Sequence, residues 1–363
     1  MKQYVIVFTC LRLGDFAWAT SAISLVKMFD KNINLTLIMQ DTFISLVDKK
    51  LQVDKIIKIK SKYWNNKNKF IRIGYKVFWC LKNYFKYYKV NKFVFLDQFL
   101  FLSVILKKIT FVKNIIGPNT FVFGKNIINK DIKYYTDIVK MPLDSDRTHM
   151  LIRYQLIVRA VFPTYNLNIP ILPKTKYLKD NINSLIKTNK KHRVAFCLCG
   201  IDKQRDWNIK NFKYIVESLH NIFDVTFFII GLGDYSLKQA NNLINSINNN
   251  IDIRNLTNKT NLLELKELLD NIDLLIAVDT GVNHIAATTK TNIISLFGAA
   301  LPEHSAPISI KAISICLYEN CSPCYYNISK GILCNNTKCM ENIKPDIIFE
   351  KAKQILKYKE NNV

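Results

Sequence analysis

The sequence predicts an α/β protein with two doubly wound domains, and three observations support this. The length of 363 residues exceeds what one compact core usually holds, and 49% of the residues are hydrophobic. Short apolar runs typical of buried strands alternate with amphipathic segments typical of helices, which predicts parallel sheets with helices on both faces. The alternation stops at a proline-containing stretch, 163–173, and then restarts. We therefore expect two Rossmann-like domains divided near residue 170.

The individual elements are best defined near the two ends of the chain. The N-terminal part predicts a strand at 4–9, a helix at 20–29 and a strand at 35–39, which is a βαβ opening. After the prolines the pattern predicts strands at 194–198, 225–230, 273–278 and 292–297, and helices at 211–221, 238–247, 262–269 and 282–289. Ligands of such sheets bind at the carboxyl ends of the strands, so we expect the chemistry in the loops there.

The composition limits the class of protein. The chain has 52 Lys plus Arg against 28 Asp plus Glu, a net charge of +24, and only 10 glycines and 9 prolines. Scarce glycine and proline exclude collagen-like and low-complexity proteins. Much of the lysine is consistent with codon drift in an AT-rich genome. Because glycine is scarce, we expect each remaining glycine to mark a backbone constraint.

The sequence also predicts a cytoplasmic location. The apolar run at the N-terminus is too short for a secretory signal, and no run reaches the roughly 20 apolar residues of a membrane span. The 9 cysteines are therefore expected to be reduced or metal-bound rather than a disulfide framework.

The positive charge is concentrated in residues 51–113. That stretch holds 15 Lys plus Arg and only two acidic residues, Asp54 and Asp97, and ten aromatic residues lie between Tyr63 and Tyr88. Basic residues interleaved with aromatic ones suit an anionic membrane surface. A single-stranded nucleic acid and a solvated lysine-rich helix face are the alternatives. Arg72 is the one arginine there, which together with the lack of a known module disfavours nucleic acid.

Four glycines lie where a predicted strand gives way to a helix: Gly14, Gly231, Gly233 and Gly281. At such a place backbone amides can approach a phosphate, and the helix N-terminus adds partial positive charge. The alternative is a tight turn without a ligand. The chain contains neither a complete dinucleotide fingerprint nor a Walker A loop, so dehydrogenase and P-loop functions are disfavoured.

The segment around Gly281 is more specific than its glycine. Asp279 at a strand end is followed by Thr280, Gly281 and, one helical turn later, His284. Such a set can hold ribose, diphosphate and sugar hydroxyls in one cleft, whereas a histidine such as His284 on its own is more often a core residue than a functional one. The run Asp279-Thr280-Gly281-x-x-His284-Ile285-Ala286-Ala287, followed by Ser295-Leu296-Phe297-Gly298, resembles glycosyltransferase family 9, the ADP-heptose:lipopolysaccharide heptosyltransferases. Arg12-x-Gly14-Asp15 resembles the N-terminal signature of that family, and the stretch 40–190 carries no such motif.

The resemblance implies a GT-B fold, α/β with two Rossmann-like domains whose parallel sheets face a central cleft. It implies an N-terminal acceptor-binding domain at 1–170 and a nucleotide-sugar-binding domain at 171–345. A C-terminal helix at 346–363 would return to the first domain. The implied activity is inverting, metal-independent transfer of a sugar, heptose from ADP-heptose, onto a lipopolysaccharide core or related glycolipid acceptor at the inner membrane surface.

The resemblance also implies roles for single residues. Asp15 matches the catalytic base, with an N-cap of the next helix as the alternative, and Arg12 and Gly14 lie on the acceptor side. Arg205 matches the position of a phosphate-binding lysine, and Lys203 is a nearby substitute. The implied donor-binding set is completed by Asp279, Thr280, Gly281 and His284, with Asp234 as a ribose candidate.

Four cysteines near the C-terminus, Cys321, Cys324, Cys334 and Cys339, resemble the cysteine tail of many family members. Their spacing, Cys-x2-Cys-x9-Cys-x4-Cys, is compatible with a structural zinc site, and a reduced cluster or a redox pair are the alternatives. No cofactor is expected to be required for catalysis.

The expected partners are a nucleotide-sugar donor, an anionic glycolipid acceptor and the inner-leaflet membrane surface, and no nucleic acid. The expected location is accordingly cytoplasmic, peripherally associated with the inner membrane. The alternative function is a catalytically idle nucleotide-binding or membrane-docking protein of the same fold.

Overall fold

The structure, a computed structural model, describes residues 2–10, 12–83, 90–97, 100–109, 112–120, 132–142, 148–164, 168–173, 179–322, 324 and 337–360. The chain divides into two compact units, Met1–Pro173 and Lys174–Val363. Each unit contains one six-stranded sheet in which all neighbouring strands run parallel.

The first unit contains the following strands and helices. Its strands are β1 (Gln3–Phe8), β2 (Asn34–Gln40), β3 (Lys55–Ile59), β4 (Lys92–Phe95), β5 (Asn114–Pro118) and β6 (Asp137–Val139). Its helices are α1 (Leu13–Phe29), α2 (Ser61–Trp64), α3 (Lys69–Asn83), α4 (Leu100–Ile109) and α5 (Met150–Arg159). The strand order in the sheet is β3-β2-β1-β4-β5-β6.

Helix α1 is buried along most of its length, since residues 14–26 are all buried. This burial is possible because the polar side chains inside the helix satisfy their own hydrogen bonds. The hydroxyls of Thr20, Ser21 and Ser24 each donate to the carbonyl three residues earlier, at 2.6, 2.6 and 2.7 Å. Asp15 is the one charged residue in that buried stretch.

The second unit is built in the same way. Its strands are β7 (His192–Cys197), β8 (Val225–Ile229), β9 (Ile253–Asn255), β10 (Leu274–Val278), β11 (Asn292–Phe297) and β12 (Ala312–Cys316). Its helices are α6 (Lys179–Ile186), α7 (Ile209–His220), α8 (Asp234–Ile244), α9 (Leu262–Asp270), α10 (Gly281–Ala286), α11 (Pro302–Ser305), α12 (Lys338–Glu341) and α13 (Pro345–Glu360). The strand order is β12-β11-β10-β7-β8-β9.

The C-terminal helix α13 belongs to the core of the second unit. Ile348, Ala352 and Leu356 are fully buried in the same cluster as the apolar residues of α7. The helix begins at Pro345, one residue before the predicted start at 346, and proline is favoured at the first helical position because its missing amide has no helical partner there. That this helix returns to the first domain stays a prediction.

Both sheets have the strand order of a Rossmann sheet. After the third strand the chain crosses over, so that the fourth strand lies next to the first on its other side. We call these places the first switch point, between the carboxyl ends of β1 and β4, and the second switch point, between those of β7 and β10. The predicted fold class is confirmed, since both units are α/β with parallel sheets of this type.

The boundaries and the middle of the chain differ from the prediction. Helix α1 begins at Leu13 rather than at 20, and α8 at Asp234 rather than at 238. Between residues 40 and 190 the structure contains β3 to β6 and α2 to α6, none of which the sequence pattern predicted. No helix of the described residues has both the length and the apolar character to cross a membrane.

Candidate active site

Asp15 lies buried at the first switch point, on the first turn of α1. Its side chain accepts a hydrogen bond from the hydroxyl of Tyr154 at 2.9 Å (Oδ1), and the thiol of Cys10 lies 3.5 Å from its other oxygen. Tyr154 lies on α5, so the carboxylate is held between two helices of the same unit. The N-cap position of α1 is occupied by Arg12. The alternative that Asp15 caps this helix is therefore wrong.

A second carboxyl group, Asp97, lies just past the end of β4 at the same switch point. It accepts hydrogen bonds from the backbone amide and the hydroxyl of Thr9, which follows β1, at 2.6 and 3.1 Å. Burial raises the pKa of Asp97 to about 7, and the negative charge of Asp15 adds to the rise, while the Thr9 hydrogen bonds oppose it. Asp97 therefore retains its proton to a higher pH than an ordinary aspartate does.

The neighbouring groups remain neutral hydrogen-bond donors. Burial, reinforced by the charge of Asp15, raises the pKa of both Tyr154 and Cys10 well above their ordinary values. A neutral phenol that donates to a carboxylate stabilises its charged form. The Asp15 side chain thus lies between two neutral donors, the Tyr154 hydroxyl and the Cys10 thiol.

Arg12 and Gly14, the other two residues predicted in this region, flank the start of α1. Arg12 is exposed and has an extended backbone, whereas Gly14 is buried as the second residue of the helix. Gly14 does not have the left-handed conformation that favours glycine; among the described glycines only Gly233 does, with φ of 93°. Gly14 therefore needs no left-handed conformation, and the expectation that it permits a close approach of the backbone stays a prediction.

At the second switch point Arg205 spans the gap between two strand ends. It lies in a short 3-10 turn (Lys203–Arg205) after β7, and its guanidinium contacts Asp279, which follows β10, at 2.9 Å to Oδ2 and 3.3 Å to the backbone carbonyl. Asp202 adds a longer contact of 3.5 Å. A Cβ on Gly200 would lie 3.2 Å from both Arg205 Cδ and the Asp279 carbonyl. The absence of a side chain at Gly200 thus permits this approach.

Arg205 and Asp279 form a pair that is mostly buried, with 18% and 7% of their side chains exposed. Burial raises the pKa of Asp279, and the Arg205 guanidinium limits that rise. A guanidinium has five donors, so it can keep this contact and still present N–H groups to a phosphate.

Lys203, the predicted substitute for Arg205, lies apart from Asp279. It is exposed, and its ammonium group lies 5.1 Å from the ring centre of Tyr235. The Tyr235 hydroxyl donates to Asp206 at 2.7 Å. Burial raises the pKa of Asp206. Of the two predicted cations, Arg205 is the one at the switch point.

The remaining predicted donor-site residues follow Asp279 directly. Thr280 precedes α10 in an extended conformation, Gly281 begins that helix, and His284 is buried on it. The helix is held on the sheet by Asn283, whose side-chain amide donates to Val278 O at 2.9 Å and to Ser295 Oγ at 2.7 Å. These residues are thus brought together with Arg205. Asp234 is exposed at the start of α8 and stays a prediction.

The predicted zinc ligands are only partly described. Cys321 is exposed, Cys324 and Cys339 are buried, and Cys334 lies outside the described residues. Cys339 packs against Gly298, where a Cβ would lie 2.7 Å from its sulfur. Within the described part of the chain no three His, Cys, Asp or Glu residues form a metal-binding group. The zinc site stays a prediction.

The sequence reasoning missed Asp97, Tyr154 and Gly200. Asp97 and Gly200 each follow a buried strand, a position at which a polar residue or glycine indicates a site. No local signal marks Tyr154, because it is 139 residues away from Asp15 in the chain.

Comparison with known proteins decides the family. The model of glycosyltransferase family 9 (heptosyltransferase) matches residues 137–331, more than half of the chain. The chain belongs to glycosyltransferase family 9. The matched segment of this family 9 chain includes Arg205 and the Asp279 motif but not Asp15.

Curated relatives match this family 9 chain over part of their length. Lipooligosaccharide heptosyltransferase 2 of Campylobacter jejuni serotype O:2 is 28% identical over 153 residues, 42% of this chain and 46% of that protein. The enzyme of the same name from Haemophilus influenzae is 40% identical over 65 residues, 18% of this chain and 19% of that protein. The chain thus spans less than half the length of these relatives.

Solved structures match over the full length. The structure of Escherichia coli ADP-heptose lps heptosyltransferase II has a TM-score of 0.74 at 15% identity and covers 99% of this chain and 100% of its own. The family 9 glycosyltransferase of Veillonella parvula has a TM-score of 0.76 at 15% identity, covering 98% and 97%. At such identities the likeness shows the fold of a family 9 protein.

Proposed function

We propose that this protein is an inverting glycosyltransferase that moves heptose from ADP-heptose onto a lipopolysaccharide core or related glycolipid. The observation that carries the proposal is the Arg205–Asp279 pair at the second switch point, inside the segment that matches the family. The names of the relatives support heptose as the sugar.

The reaction is a single displacement. An acceptor hydroxyl forms a bond to the anomeric carbon of the donor while the bond from that carbon to the diphosphate oxygen breaks. The hydroxyl proton passes to Asp15, and the negative charge that develops on the departing diphosphate is stabilised by Arg205. Neither role requires a metal ion.

The donor-binding residues have separate tasks in this proposal. Arg205 binds the diphosphate, and Asp279 orients the guanidinium through the ion pair with its carboxylate and through its backbone carbonyl, which accepts a hydrogen bond from Arg205 at 3.3 Å. Thr280, Gly281 and His284 contact the nucleotide sugar from the start of α10. Lys203 remains exposed beside Tyr235 and adds positive charge near the phosphates without a direct contact.

The first unit supplies the acceptor side. Asp15 is the base and accepts a hydrogen bond from the Tyr154 hydroxyl, and Arg12 and Gly14 at the start of α1 bind the acceptor. We further propose that the acceptor is an anionic glycolipid and that the protein acts at the cytoplasmic surface of the inner membrane. A zinc ion held by the four C-terminal cysteines would have a structural role.

The test is transfer by the purified protein from ADP-heptose to a lipopolysaccharide core acceptor, in the wild type and in Asp15→Asn. General base catalysis contributes about 10²- to 10⁴-fold, so we expect at least a hundredfold loss of rate with unchanged ADP affinity in calorimetry. The matched control is Asp137→Asn, which changes an exposed carboxylate of the same unit.

Each outcome separates the alternatives. A wild type that binds ADP and transfers no sugar would instead be the catalytically idle nucleotide-binding protein of the same fold. Full activity in Asp15→Asn would refute the assignment of the base while leaving the donor site in place.

A further inference from the structure

Helix α3 presents a large apolar face to solvent. Phe70 is 85% exposed, Phe78 and Leu81 are each 60% exposed, and Ile71, Ile73 and Val77 are 37–47% exposed. With 100° per residue, these six side chains lie within a single arc of about 160° on the helix. Single exposed apolar residues are common, but a contiguous apolar face indicates an interaction surface.

The opposite side of α3 already packs on the first unit. Trp79, Cys80 and Asn83 are buried, Trp79 packs against Trp64 at 6.2 Å, and its indole N–H donates to Lys58 O at 2.8 Å. The start of the helix is capped by Asn68, which accepts from the amide of Phe70 at 2.9 Å. The apolar face is thus held outward by a well-anchored helix.

Helix α7 of the second unit shows what such a face normally does. It has a similarly amphipathic sequence, but its apolar residues Phe212, Ile215, Val216 and Leu219 are all fully buried against the sheet. In α3 the exposed arc is as apolar as the one that α7 buries. Because α7 buries its apolar face and α3 exposes one, we expect a partner to cover the face of α3.

The charges around α3 specify an anionic partner. No acidic residue occurs between Asp54 and Asp97. By helical periodicity Lys69 and Lys82 lie at the two edges of the apolar face. The ammonium group of Lys82 lies 5.8 Å from the ring centre of Phe78, and the ammonium group of Lys76 lies 4.5 Å from the ring centre of Trp64. An apolar strip bordered by lysines has the form of a helix lying in a lipid head-group layer.

We propose that α3 docks this protein on an anionic lipid bilayer, with Phe70, Phe78 and Leu81 inserted among the acyl chains and the flanking lysines on lipid phosphates. The biological role of this docking rests on the proposed function, since a glycolipid acceptor lies in such a bilayer. Its physical basis, the exposed face and the surrounding charge, does not depend on that function.

The test is flotation of the purified full-length protein with vesicles of phosphatidylglycerol and phosphatidylethanolamine, compared with vesicles of phosphatidylcholine alone. We expect association with the anionic vesicles that decreases as salt is added. Inserting a phenylalanine corresponds to about a tenfold gain in partitioning or more, so Phe70→Ser with Phe78→Ser should lower the partition coefficient at least about tenfold. Both side chains are exposed, so the variant should fold, as its melting temperature will show.

The matched control is Ile169→Ser with Ile310→Ser, two apolar residues that are 67% and 103% exposed elsewhere. It should partition as the wild type does. The proposal is overturned if the wild type ignores anionic vesicles or if the α3 variant floats like the wild type. It is also overturned if α3 mediates binding of single-stranded RNA or DNA and not of vesicles.

Sugar transfer provides a separate readout. The α3 variant should retain wild-type transfer to a water-soluble core oligosaccharide and lose transfer to acceptor embedded in vesicles. Vesicle binding without transfer to any acceptor would refute the proposed function and leave the docking surface intact. Transfer to both acceptors at equal rates in the variant would refute the docking surface and leave the proposed function intact.

Discussion

The two switch points have the same topology but treat their carboxylates differently. Asp97 lies two residues past β4 and Asp279 directly follows β10, so each lies at the carboxyl end of the fourth strand of its own sheet. Asp279 contacts the guanidinium of Arg205 at 2.9 Å. Asp97 instead accepts from the amide and hydroxyl of Thr9 and has Asp15 as a charged neighbour.

This difference separates the chemistry of the two units. A buried carboxyl next to a second carboxylate retains its proton to higher pH, which suits proton transfer. A buried carboxylate paired with arginine orients a cation, which suits phosphate binding. The fold places an aspartate at both points, and the partners decide what it does.

The largest effect is expected at the second switch point. Arg205→Met leaves Asp279 buried without its cation, and breaking a buried pair in this way costs about 3 kcal/mol of unfolding free energy. The loss of charged hydrogen bonds to phosphate should also weaken ADP binding about tenfold to a hundredfold. Chemical denaturation measures the first effect and calorimetry the second.

A second substitution distinguishes the two roles of Arg205. Adding Asp279→Asn removes the uncompensated charge, so stability should largely return while ADP binding stays weak. Lys190→Met is the control, because it breaks an exposed pair with Asp224 in the same unit and should change neither quantity. Recovery of ADP affinity in the double variant would contradict the phosphate role.

A smaller effect, about 2–3 kcal/mol of unfolding free energy between pH 5 and 8, is expected from pH at the first switch point. The pKa of Asp97 is raised to about 7 in the folded state, against about 3.9 in the unfolded chain. The folded state therefore binds this proton more tightly, so its contribution to stability is complete below about pH 4 and is lost as the pH rises through 7. Asp97→Asn should flatten the decrease in melting temperature between about pH 5 and 8.

The polar and titratable groups around Asp97 are those of Thr9, Cys10, Asp15 and Tyr154. Asp137→Asn, an exposed carboxylate of the same unit, should leave the pH dependence unchanged. An Asp97→Asn protein with the wild-type pH dependence would mean that Asp97 does not titrate in this range.

The smallest effect is expected from Tyr154→Phe. Removing the hydroxyl that donates to Asp15 at 2.9 Å should lower the transfer rate about tenfold, since a hydrogen bond to a charged group contributes about 1.5–3 kcal/mol. A carboxylate without this donor holds its proton more tightly, so the acidic limb of the pH–rate profile should move to higher pH.

Tyr214→Phe provides the control for this substitution, because it removes another tyrosine–aspartate hydrogen bond, with the exposed Asp346 of the second unit. It should leave both the rate and the pH–rate profile unchanged. A purely structural role of Tyr154 would lower stability without moving the pH–rate profile.

Much of the second unit was predictable from local pattern. The strand at 292–297 agrees residue by residue with β11, and the helix at 262–269 differs from α9 by one residue. Asn261 and Glu264 form a capping box at the start of α9, which is a local signal of the kind that sequence reasoning detects. The first unit was harder, because α3 exposes apolar residues and α1 buries almost all of its circumference. Neither shows the usual division into an apolar buried face and a polar exposed one.

By itself the sequence determined the fold class and the family. It also indicated Asp15, Arg205 and Asp279 as site candidates, because each lies in a short motif or beside a strand end. Only the tertiary structure placed Tyr154 on Asp15, Asp97 on Thr9 and Arg205 rather than Lys203 on Asp279. Those contacts join residues 74 to 139 positions apart. No local pattern encodes them, since they depend on how strands and helices far apart in the chain pack together.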